Sequence, residues 1–107
     1  MKLSEQSCAP IESGTEPMNA EEASALAGEI PDWHLGEDGL ERALSFDGFA
    51  QAMDFANAVA ELAAEQDHHP RICVDYDTVQ LSLVTHKIGG LSMNDFIMAA
   101  RIDQLTA

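Results

Sequence analysis

The chain has 107 residues, enough for one domain with a modest core and too few for two. Its 19 acidic and 5 basic side chains give a formal net charge of −14, so a nucleic-acid backbone or an anionic membrane would be repelled, and a small neutral or polar ligand fits better. No apolar run nears the roughly 20 residues that span a bilayer, and no basic stretch leads into an apolar one near the N-terminus, so a soluble, cytoplasmic protein is expected.

Residues 1–18 combine Ser, Glu and Gly with Pro10 and Pro17 and carry no sustained apolar period, the pattern of a flexible tail. Residues 19–107 are expected to form the single domain. Cys8 in the tail and Cys73 in a predicted strand suggest neither a disulfide framework nor a thiolate zinc site. Asn19 followed by Glu22 marks a helix start, with Ala23, Leu26 and Ala27 on one face and Gly28 and Pro31 closing it. Trp33 and Leu35, the turn Gly36-Glu37-Asp38-Gly39, and Leu40 to Phe46 read as a hairpin with imperfect alternation.

Asp47 is placed to cap a second helix, whose Phe49, Met53, Ala56, Val59, Ala60 and Ala63 recur at helical spacing. Pro70 disfavours helical geometry at His69, which ends that helix within 66–69. Ile72 to Tyr76 and Val79 to His86 form a second hairpin, with Val79, Leu81 and Leu83 on one face and His86 on the other with Gln80 and Ser82. Ser92 opens a last helix striped with Met98, Ile102 and Leu105. The order α-β-β-α-β-β-α predicts an α+β domain, a four-stranded antiparallel sheet with helices packed on one face.

Three of the four histidines fall at His68, His69 and His86, and imidazole gives and takes protons near neutral pH. His68 sits at a helix C-terminus, where the macrodipole favours positive charge, although a histidine there can equally serve the last carbonyls. His69, held extended by Pro70, points away from His68 and could form a second pocket wall or lie free in a loop. Asp95, three residues after Ser92, completes a capping box and could still orient a histidine with its other oxygen. A metal is the rival use of these side chains, but adjacent histidines at a helix exit diverge, and no H-x-x-x-H or H-E-x-x-H is present. No phosphate-binding glycine loop occurs either, and Cys73 has no activating neighbour in sequence.

Asp67-His68-His69-Pro70, Tyr76, Thr85-His86, Gly90-Leu91-Ser92 and Asp95 together resemble the pterin-4a-carbinolamine dehydratase family, over about Trp33 to Leu105. Residues 94–101, Asn94-Asp95-Phe96-Ile97-Met98-Ala99-Ala100-Arg101, are similar to the last helix of bacterial members. The resemblance implies dehydration of 4a-hydroxytetrahydropterin to quinonoid dihydropterin and water, without metal or organic cofactor, recycling the pterin of aromatic amino-acid hydroxylases. It also implies a homodimer or homotetramer. His68 and His86 would be the general acids, and His69 would complete the catalytic set, chiefly as a substrate-binding wall. Asp67, Pro70, Asp95 and Trp33 would complete the substrate site, although for Trp33 a buried core position is the stronger reading. Ala64 and Asn94 stand where animal members have glutamate and arginine, and Ile11 stands where many bacterial relatives have a second tail cysteine. The family also implies an alternative, a binding protein on the same fold: a transcription-factor dimerisation partner or a Rubisco assembly factor.

Overall fold

The computed structural model describes residues 2–37 and 39–106. Among the described residues seven main elements follow in chain order: helix α1 (Ala20–Ala27), strands β1 (His34–Gly36) and β2 (Gly39–Ser45), helix α2 (Phe49–Gln66), strands β3 (Arg71–Asp75) and β4 (Thr78–Leu83), and helix α3 (Met93–Gln104). Short 3₁₀ turns occur at Leu3–Glu5 and His86–Ile88. The strands form one antiparallel sheet in the spatial order β1-β2-β4-β3. The α+β order expected from periodicity is therefore the observed one.

Register explains why the helices lie on one face. Leu40 pairs with Leu83, and Leu44 with Val79; with Leu81 these side chains point to the helices and are at most 9% exposed. Ala52, Phe55, Val59 and Ala63 of α2 and Phe96, Met98, Ala99 and Ile102 of α3 close the core against them. Glu41, Ala43, Ser45 and Gln80 alternate to the opposite face and are exposed. Gly39 permits the β1–β2 hairpin: its φ is +134°, and a Cβ there would lie 2.3 Å from the Leu83 carbonyl oxygen. Asp38 of that predicted turn lies outside the described residues.

The imperfect alternation in β2 has a structural cause. Arg42 shares the inner face with Leu40 and Leu44, and its guanidinium pairs with Asp103 of α3, which also accepts a 2.8 Å hydrogen bond from Trp33 Nε1. Trp33, 5% exposed, is thus a core residue tied to α3.

Two local expectations change. Asn19 does cap α1, accepting the Glu22 N–H at 2.8 Å, but Asp47 does not cap α2. The cap position there is Gly48, whose carbonyl accepts the Ala52 N–H at 3.1 Å, so Asp47 lies one residue too early and its side chain stays exposed.

The larger departure concerns the segment expected to be a flexible tail. Leu3 is 4% exposed within the core, Arg101 Nε donates to the Gln6 carbonyl at 2.6 Å, and Met18 N–H donates to the Leu91 carbonyl at 2.8 Å. Residues 6–11 lie docked along the body because distant side chains satisfy their backbone groups, a pairing that local composition does not encode, whereas residues 12–17 are exposed. No helix among the described residues is long and apolar enough to cross a membrane.

Candidate active site

Helix α2 ends at Asp67, which takes the left-handed conformation (φ 52°, ψ 42°). Asp tolerates that region better than most residues, and the reversal turns the chain out of the helix axis. The Asp67 and His68 N–H groups return to the Ala63 carbonyl, the latter at 3.2 Å, and Pro70 restricts His69 just beyond. This geometry sends the His68 ring toward the N-terminus of α3.

There it meets Asp95. His68 Nε2 lies 2.6 Å from Asp95 Oδ1, with the ring 12% exposed and the carboxylate fully buried. The other oxygen, Oδ2, accepts from Thr85 Oγ1 at 2.8 Å and from the Ser92 N–H at 3.0 Å. Thr85 Oγ1 and Ser92 Oγ are 2.6 Å apart. Since the Thr85 hydrogen goes to the carboxylate, Ser92 must donate to Thr85. Asp95 thus bonds the start of α3 with one oxygen and His68 with the other. No buried side-chain polar atom among the described residues lacks a partner, which makes this network a rigid support. With Nε2 committed to Asp95, Nδ1 is the ring nitrogen left for a ligand.

A cleft of about 420 Å³ opens beside the network, lined by Gln66 to His69, by Val84 to Lys87, by Asn94 and by Cys8 to Ile11. That volume is within the usual range for small-molecule sites. His68, His69, His86 and Asp67 line one cleft. His86 arrives differently than foreseen: β4 ends at Leu83, a bridge between Thr85 and Gly90 closes a short loop, and His86 opens a 3₁₀ turn with its side chain exposed. Asp95 lies beneath the cleft and is joined to it by its hydrogen bond to His68. Pro70 and Trp33 are not among the lining residues; Pro70 shapes the backbone, and Trp33 belongs to the core, so neither forms a wall. Among the described residues no three His, Cys, Asp or Glu side chains gather into a metal-holding group.

Neither a role for Thr85 nor a place for residues 8–11 is signalled locally in the sequence. Thr85 stands beside His86, but only the fold brings its hydroxyl to Asp95. Burial pushes the Cys8 thiol up to about 11, with Arg101 lowering and Asp95 raising it to lesser degrees.

The fold and cleft define a small α+β protein that gathers three imidazoles, one of them bonded to a buried carboxylate. Comparison with known proteins narrows that class. The family model for pterin 4 alpha carbinolamine dehydratase matches residues 16–105. A Rubrobacter xylanophilus protein provisionally named pterin-4-alpha-carbinolamine dehydratase is 42% identical over 97% of this chain and 98% of its own length. A Microcystis aeruginosa protein with the same provisional name is 44% identical over 97% of this chain and 93% of its own. The crystal structure of a Brucella melitensis protein described as a transcriptional coactivator/pterin dehydratase superposes with a TM-score of 0.80 at 23% identity, covering 86% of this chain and all of that one. The chain belongs to the pterin 4 alpha carbinolamine dehydratase family.

Proposed function

We propose that the protein dehydrates 4a-hydroxytetrahydropterin to quinonoid dihydropterin and water. The observation that carries this reading is the His68–Asp95 pair, 2.6 Å long, set in a cleft with His69 and His86. The C4a hydroxyl is a poor leaving group, so protonating its oxygen as the C–O bond breaks is the useful contribution. The N5 lone pair forms the new bond to C4a as water departs, and N5 then releases its proton, which restores the acid. Positioned general acids contribute about 10²- to 10⁴-fold to such a step.

His68 and His86 are the acids in this scheme, and His69 and Asp67 contact the substrate. Asp95 fixes the ring plane and tautomer of His68, so that little reorganisation is needed during reaction. The protein works in the cytoplasm as a homodimer or homotetramer, without metal or organic cofactor, and recycles the pterin of an aromatic amino-acid hydroxylase. The test is a dehydration assay on enzymatically generated 4a-hydroxytetrahydropterin: purified protein accelerates its disappearance, whereas a rate equal to the spontaneous one overturns the proposal.

The description of the Brucella melitensis neighbour as a coactivator as well as a dehydratase supports a second reading, a binding or assembly role on the same scaffold. Full cellular function of a chain carrying His68→Ala would favour that reading over catalysis.

A further inference from the structure

Residues 6–11 cross the cleft as a strap, and the way they are held joins them to the catalytic constellation. The Asn94 amide, 6% exposed, clasps Ala9 on both sides, accepting its N–H at 3.0 Å through Oδ1 and donating to its carbonyl at 2.7 Å through Nδ2. Gln66 Oε1 accepts the Cys8 N–H at 2.8 Å, and Lys87 Nζ donates to the Ile11 carbonyl at 2.9 Å. Asn94 directly precedes Asp95, and Gln66 lies two residues before His68, so the strap is latched to the same two helix ends that hold the His68–Asp95 pair. The segment is pinned beyond the strap at both ends. Leu3 is buried at one, and at the other Pro17 packs so closely on Gly90 that a Cβ there would sit 2.6 Å from the Pro17 Cβ.

The strap also differs chemically from the rest of the cleft. Its Ala9, Pro10 and Ile11 are apolar, whereas the facing segments 66–69 and 84–87 are polar apart from Val84. A flat heterobicycle with one edge of hydrogen-bonding groups needs such an asymmetric site, with an apolar surface under a ring face and polar groups at the edge. The family match begins at residue 16, so the strap lies outside it.

We propose that the strap is the substrate-binding wall on which the face of the pterin ring packs, and that Asn94 is the positioning residue that fixes it. The proposal rests on the dehydratase reading for the identity of the ring. Removing the latch loosens the wall without touching the acids, so the Michaelis constant rises more than turnover falls.

The test uses the full chain in a Cys73→Ser background, with Asn94→Ala and Ile11→Ala as separate variants. Each is expected to raise KM for 4a-hydroxytetrahydropterin by about 10-fold with a smaller change in kcat. Saturating 7,8-dihydropterin is expected to slow labelling of Cys8 by a thiol reagent in the parent and less so in Asn94→Ala. If Asn94→Ala fails to fold, Ile11→Ala decides, since its half-buried side chain lies outside the hydrophobic core and only its carbonyl enters the latch. A KM unchanged in folded Ile11→Ala, with Cys8 labelling indifferent to the pterin, overturns the strap and leaves the dehydratase reading intact. Protection of Cys8 by pterin in a parent chain that does not accelerate dehydration supports the wall and overturns the catalytic reading instead.

Discussion

His68 and His86 face the same cleft but are held in opposite ways. His68 is clamped at a helix exit by a carboxylate with no exposed surface, itself fixed by Thr85 and Ser92. His86 stands on a short 3₁₀ turn with its side chain exposed. A buried, hydrogen-bonded imidazole keeps one orientation, while an exposed one samples several rotamers and must be ordered by the ligand. Under the proposed mechanism the difference teaches that two histidines of equal chemical capacity would carry unequal shares of one proton transfer, because their preorganisation is unequal.

Single substitutions sharpen that contrast. His68→Ala is expected to lower kcat toward the far end of the range for a positioned acid, about 10³- to 10⁴-fold, measured in the dehydration assay at saturating pterin. His86→Ala should cost less, about 10²-fold at the near end of that range; an equal loss in both variants would break the comparison. Trp33→Phe belongs at the bottom of the scale. It removes the hydrogen bond to Asp103, so it is expected to destabilise the fold by about 1 kcal/mol and lower Tm, while kcat/KM stays within about 2-fold. A large rise in KM instead would return Trp33 to the substrate site.

Much of this was legible in the chain because it is written in local spacing. The apolar repeat through Val59 and Ala63 marked α2, Pro70 marked its end, and Ser92 with Asp95 marked the start of α3. Those three signals bring His68 and Asp95 to adjacent helix ends, which is most of the candidate site. What stayed hidden depends on distant pairings. The clasp of Ala9 by Asn94 joins residues 85 apart, and neither an asparagine near a helix start nor a Ser- and Glu-rich segment signals it. Trp33 was ambiguous because an aromatic side chain suits a core and a ring-binding wall alike, and only the position of Asp103 decides between them. The alternation of β4 ran on past Leu83 in sequence, but the Thr85–Gly90 bridge bends the chain out of the sheet before His86.

The central claim is that Asp95 contributes through His68 rather than independently, and a double-mutant cycle addresses it most directly. The hydrogen bond to a charged partner is worth about 1.5–3 kcal/mol, so Asp95→Asn alone is expected to lower kcat about 10- to 100-fold. The cycle compares kcat of the wild type, His68→Ala, Asp95→Asn and the double variant, with folding of each verified by circular dichroism. The account predicts strong non-additivity, the double variant being no slower than His68→Ala. Losses that simply multiply would contradict it.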